Sequence, residues 1–305
     1  RSIKDITIIG AKSAEVDGFV FETGALPGDC NNRVTIENLV IDGVEFTDAF
    51  TASSAGYNAP IMITTSNATI DGLTVKNCKL IGDNSKLNLV YLYGADGSKN
   101  VSLINNTVDG IARLCELRGT ENVTITGNTI NNTYEHAMLL AAGGYSGNVS
   151  ITGNTADGIH DRFVRMAGGE NATVVIEDNN ITNYLGNDPD YIKITDSINN
   201  IINDASNVTI ENNKLINTVI VPANNTEVVL DGGNIDVTVP ASDTSEGDEY
   251  RIEVSNEENT NTAGETNVSF DLTLYKNGTA VIGGTTTYEV ALNIGVGKMI
   301  SSVRH

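Results

Sequence analysis

Two tyrosines and four charged residues occupy equivalent places in short, strand-like stretches of a 305-residue chain: Tyr91, Tyr93, Glu116, Arg118, Arg165 and Lys193. Their chemistry depends on how close they come. A lysine one strand spacing (about 4.8 Å) from an arginine has its charged form disfavoured by the like charge. Such a lysine can accept a proton near neutral pH, while a neighbouring cation or Ca²⁺ stabilises an adjoining carboxylate as it gains enolate character. In that arrangement Lys193 is the base, Arg165 the stabilising cation, and Glu116 a further charged neighbour. His136 and the run His160-Asp161-Arg162 fall at loop-to-strand junctions, where an imidazole beside a carboxylate suits acid–base work. Asp188-Pro189-Asp190 offers oxygen ligands for Ca²⁺. Each set also has a plainer account. The charged column can be a solvated ion-pair ladder, the histidines loop residues, and the aspartates acidic loop tips.

What must position these residues is a repeat. Seven segments share one pattern: they begin at Val34, Ala68, Val101, Val123, Val149, Val174 and Val208, with a fainter first copy at Ile6-Thr7-Ile8. Start-to-start spacings are 34, 33, 22, 26, 25 and 34 residues, so the unit is rigid inside and elastic between copies, as in a solenoid with variable loops. Apolar first and third positions alternate with Thr or Ser over most copies, the period of a strand with one buried face. The fifth position (Asn38, Gly72, Asn105, Gly127, Gly153, Asp178, Asn212) holds only residue types that tolerate positive φ, which predicts a bend there. The sixth is asparagine in five copies, Asn106, Asn128, Asn154, Asn179 and Asn213. Stacked at one register, each amide can bond the next and satisfy groups that the bend buries.

These segments resemble the coils of the right-handed parallel β-helix in the pectate-lyase-like superfamily, over about Ile3 to Leu230. The resemblance implies strands that close each coil at Ile61–Thr64, Val90–Tyr93, Cys115–Arg118, Met138–Ala141, Val164–Ala167 and Ile192–Thr195. If Val90, Leu92, Cys115, Leu117, Val164, Met166, Ile192 and Ile194 point inward, the outward columns are Tyr91, Glu116, Leu140, Arg165, Lys193 and Tyr93, Arg118, Ala142, Ala167, Thr195. The resemblance further implies that polysaccharide lies along this face, with tyrosines stacking on sugar rings and cations pairing with uronate carboxylates. On that expectation Tyr91, Tyr93, Arg118 and Asp161 contact substrate. The polygalacturonase set (paired aspartates, Gly-His-Gly, Arg-x-Lys) and the Arg-x-Pro-x-x-Arg of pectate lyases are not in the sequence.

From about residue 233 the asparagine pattern gives way to alternating segments, Ile235–Val239, Tyr250–Val254, Val268–Tyr275 and Tyr288–Ile294, with a hairpin signal at Lys276-Asn277-Gly278-Thr279. The expectation is an all-β chain: a right-handed parallel β-helix over 1–232, then a small antiparallel β-sandwich-like domain over 233–305 with too few strands to close a complete sandwich. The second piece resembles small β-domains of Gram-positive surface proteins.

Composition narrows the function classes. Asp and Glu number 39 against 18 Lys and Arg, for a net charge of −21, which excludes nucleic-acid binding through a basic stripe. The longest apolar stretch, Met138 to Ala142, is far short of the roughly 18 residues needed to span a bilayer. The chain opens at Arg1 without a basic–apolar leader, so a secretion signal would lie outside this sequence. Cys30, Cys78 and Cys115 form neither a disulfide framework nor a metal spacing, and Cys78 and Cys115 read as core residues. The expected role is a secreted or cell-surface protein that binds polysaccharide along one face. The alternatives are a lyase or hydrolase acting on a uronic-acid polymer and a structural stalk.

Overall fold

Each repeat contributes a strand, a left-handed corner and a second strand, and the copies stack in sequence order. In the computed structural model, which describes residues 2–10, 19–20, 34–46, 58–63, 68–92, 97–141, 144–186, 190–233, 235–262, 265–281 and 288–292, the first strands form an eight-stranded parallel sheet. Its members are Ser2–Ile9, Val34–Asp42, Ala68–Lys76, Lys99–Ile104, Glu121–Thr126, Ser146–Thr152, Ala172–Glu177 and Val208–Glu211. All seven repeats and the faint first copy are present. Second strands stack likewise, from Glu45–Phe46 through Thr129–Thr133, Thr155–Ile159 and Asn180–Tyr184 to Lys214–Ile220. The coil-closing strands Ile61–Ile63, Met138–Ala141, Val164–Ala167 and Ile192–Thr195 make a third stack. Lys79–Leu92 and Thr107–Arg118 run through both of the latter stacks without a break. The chain is a parallel β-helix, and the inward residues of every stack merge in one apolar core.

All seven fifth-position residues have positive φ, between 53° and 88°. Two of them, Asn38 and Gly72, nonetheless turn a different corner from the other five. Strand register pairs Leu39 with Leu73 and Leu73 with Val101, so the equivalents of Asn105 in the first coils are Gly43 and Asn77, five residues later than the repeat suggests. Asn38 and Gly72 instead share a corner with Asn100 and Asn122, and Asp5 begins that row. The sequence alignment errs here because both corners use the same residue types.

The asparagine ladder forms at the first of these corners. Asn106 donates from its backbone N–H and from Nδ2 to Asn128 Oδ1, each at 2.9 Å. Asn128 does the same to Asn154 at 2.9 Å, Asn154 to Asn179 at 2.9 Å, and Asn179 to Asn213 at 3.1 and 2.8 Å. Each Nδ2 also reaches a carbonyl of the preceding coil: Val75, Leu103, Ile125, Ile151 and Ile176 in turn. The next position down the stack is Cys78. Its N–H donates to Asn106 Oδ1 at 3.0 Å, and its thiol lies 3.7 Å from Ile41 O and 3.3 Å from Lys76 O. The thiol thus occupies the place of the missing amide, as a weaker donor. Below it stands Val44, which is buried and apolar.

The last solenoid strand, Lys214–Ile220, is shared. One edge pairs parallel with Asn180–Tyr184, and the other pairs antiparallel with Glu249–Thr262. Glu249–Thr262 continues to Glu265–Lys276 and then Thr279–Ala280 through a turn with positive φ at Asn277 and Gly278, the backbone that an Asn-Gly hairpin requires. A second antiparallel sheet, Val228–Asp231, Ile235–Val239 and Glu289–Leu292, packs against the first. Between them lies a separate core of Val221, Val228, Leu230, Val237, Tyr250 and Ile252 among others. Among the described residues no helix is long and apolar enough to cross a membrane.

Candidate functional site

The third stack carries the outward columns. Its inward residues Val90, Leu92, Cys115, Leu117, Val164, Met166, Ile192 and Ile194 are all buried, which fixes the phase of their neighbours. Register pairs Met62 with Tyr91, Tyr91 with Glu116, Glu116 with Leu139, Leu139 with Arg165 and Arg165 with Lys193. Leu140 therefore does not belong to the column: it is buried, and Leu139 takes the outward place. The parallel column is Arg118, Ala141, Ala167, Thr195. Tyr93, Ala142 and Asp188 lie outside the described residues.

The column does not present one open face. Tyr91 and Glu116 are 8% and 5% exposed, and Arg113, itself buried, pairs with Glu116. Arg113 donates to Glu116 Oε2 at 2.8 Å and to Glu135 from the junction of the next coil. Burial pushes the Glu116 carboxyl up from its usual range, against the pull of Arg113 and Arg118. Leu139 then separates Glu116 from Arg165 by a full rung, so the column is not a continuous ion-pair ladder.

The other end differs. Arg165, exposed, stands opposite Lys193 on the neighbouring strand, and with Arg162, Thr195 and Asn199 they line a cleft of about 340 Å³. Among the described residues no carboxylate lines it. One wall is the excursion after Thr195. Asp196 holds that turn by accepting from the backbone N–H groups of Ile198 and Asn200 at 3.0 and 2.8 Å and from Asn200 Nδ2 at 2.8 Å. Asn203 ties the excursion back to the strand through Ile194 N and Ile192 O, both at 2.8 Å.

His136 and His160 are not partners. His136 sits in register with Arg162, since the N–H groups of Ala137 and Met138 donate to the carbonyls of Arg162 and Phe163. It is buried, and its Nδ1 accepts from the Arg162 backbone N–H at 3.3 Å. Desolvation, helped by Arg113, Arg165 and Arg162, depresses its imidazolium to about 3. His136 is therefore neutral, and its 3.2 Å approach to Asp161 Oδ2 is not an ion pair at neutral pH. Asp161 instead pairs with Arg162 at 3.3 Å. His160 lies two residues earlier and exposed, with Nδ1 2.7 Å from Thr133 O. It stacks on Tyr134, ring centroids 6.4 Å apart. The Tyr134 hydroxyl in turn donates to Asp83.

Asp190 is half-buried beside Tyr191. Among the described residues no group of three His, Cys, Asp or Glu side chains converges to hold a metal ion. Sequence reading missed Arg113, Glu135, Tyr134 and Asn199, and gave Arg162 no role of its own. The signal for Arg162 was available, since it aligns with the junction that holds His136. For Arg113 there was none, because its partners come from two coils. Against models of protein families, curated proteins and solved structures, the chain has no significant match.

Proposed function

We propose that the protein binds acidic carbohydrate in the cleft of Arg162, Arg165 and Lys193, and that it does so outside the cell or at its surface. The observation that carries this is the meeting of Arg165 and Lys193 on facing strands, with Arg162 and its partner Asp161 beside them, in a cleft with no carboxylate among the described lining residues of a chain of net charge −21. Placing two like charges on facing strands costs stability, and an anion held at the exposed Arg165 guanidinium would offset that cost. Arginine and lysine both pair well with carboxylates, and Asn199 adds an amide suited to sugar hydroxyls. The exposed ring of His160, two residues from Arg162 along the chain, and that of Tyr134 stacked on it supply apolar surface of the kind that packs on a pyranose.

The test is calorimetric titration with uronate-containing oligosaccharides against neutral ones of equal length. The acidic set binds, and Arg165→Ala with Lys193→Ala together reduce affinity at least about tenfold. If neither set binds the unmodified protein, the assignment fails. A lyase reading is favoured by one feature, Lys193 one rung from Arg165. Glu116 is engaged by Arg113, and His136 Nδ1 already accepts a backbone N–H, so abstraction of a proton would fall to Lys193. Ultraviolet absorbance from an unsaturated product, present with the intact protein and lost in Lys193→Ala, would establish that activity. Binding without product assigns the cleft to recognition alone.

A further inference from the structure

Resting on the binding role assigned above, we infer that the ligand presents an isolated acidic group, as on a short or sparsely charged saccharide, and not a dense polyanion. The cationic surface is short. Arg165 and Lys193 occupy two adjacent rungs, about 4.8 Å apart, and Arg162 belongs to the same coil as Arg165. Towards the amino-terminal coils the column continues as Leu139, which is apolar, and then Glu116, which is buried and held by Arg113. In the parallel column Ala141, Ala167 and Thr195 stand beside the cleft without charge, and the next cation, Arg118, is two rungs from Ala167.

A polymer with a carboxylate on every sugar would meet one or two cations here and carry the rest over the uncharged Leu139, Ala141 and Ala167. The whole-molecule field opposes it as well. With 39 acidic residues against 18 basic ones, each further carboxylate is repelled at distances within the Debye length of about 8 Å at physiological salt. One carboxylate gains the local pairing of the cleft and meets little of that repulsion. The rest of the ligand then rests on uncharged contacts, for which Asn199 and the exposed Ile198 are available.

The experiment compares a disaccharide carrying one uronate, a fully uronate oligosaccharide of about eight sugars, and the neutral disaccharide, each titrated into the full chain at several salt concentrations. Affinities are expressed per saccharide end, and the same series is run on Arg165→Gln. The mono-uronate disaccharide binds within about threefold of the octamer, with a logarithmic salt slope near that of a single neutralised charge. Arg165→Gln weakens both. An octamer at least about tenfold tighter, with a slope corresponding to several charges, overturns the inference while leaving acidic-carbohydrate binding in place. If neither acidic probe binds, both fall together. If the neutral disaccharide binds as well as the acidic one, the cations are not the recognition element and both fall likewise.

Discussion

At the residue scale, the cleft is shaped by what its neighbours cannot do. His136 is a neutral imidazole held by the Arg162 N–H, with a value lowered from 6.5 to about 3. The unfolded chain therefore binds a proton that the native chain refuses. Its contribution to stability is complete above about pH 6.5 and is lost as pH falls towards 3, at no more than roughly 1.4 kcal/mol per pH unit. In urea titrations between pH 7.5 and 4.5, the unmodified protein should lose more stability than His136→Gln, whose carbonyl keeps an acceptor for the N–H. The difference between the two curves isolates His136 from Glu116, whose raised value works in the opposite sense: native Glu116 retains a proton that the unfolded chain has released. Arg165 carries a second prediction. It faces Lys193 and its charge helps depress His136, so Arg165→Gln should be neutral or stabilising by up to about 1 kcal/mol while weakening ligand binding. Thermal unfolding and titration of one variant check both. A residue whose removal costs affinity but no stability is present for a ligand.

At the element scale, the coils are held by amides that each serve two neighbours. Replacing Asn154 by Ala removes the acceptor for Asn128 N and Nδ2 and the donor to Ile125 O, leaving buried groups unpaired at roughly 1–3 kcal/mol each. The expected loss is several kcal/mol by denaturant midpoint, more than for a half-buried asparagine such as Asn122. At Cys78 the substitution runs the other way. Asn fits that register in the five following coils, so Cys78→Asn should gain up to about 1 kcal/mol by extending the ladder, whereas Cys78→Val should lose stability. Much of this was legible in sequence, because alternation and bend residues mark strands and corners directly. What was not legible was phase where the signal is degenerate. Met138-Leu139-Leu140 offers three apolar residues in succession, so nothing local tells which faces out. Asn38 and Gly72 are as fit for one corner as for another. The pairing of Arg113 with Glu116 and with Glu135 from the next coil is a contact without any sequence spacing of its own.

At the scale of the whole molecule, the antiparallel unit finishes the solenoid. Lys214–Ile220 would otherwise be an open edge, and such edges recruit other chains. Asn217 joins the two parts further, accepting from Tyr184 N at 2.8 Å and donating to Asp231 O at 2.5 Å. A chain ended at residue 222 should lose thermal stability and associate, seen as concentration-dependent elution in size-exclusion chromatography, while the full chain gives no association through this edge. The cleft lies on Val164–Ala167 and Ile192–Thr195, the last closing strands before this cap, so the truncated chain should also lose ligand affinity.

The amide stack is lopsided: it runs from Asn213 down to Asn106, ends in a thiol at Cys78, and gives way to a valine below that. Pulled lengthwise between its two ends in an optical trap, the molecule should therefore yield unequally. Its amino-terminal windings should peel off one by one at low tension, and the trace should then climb to a plateau when the force reaches the first amide, so that the windings carrying Arg165 and Lys193 give way late.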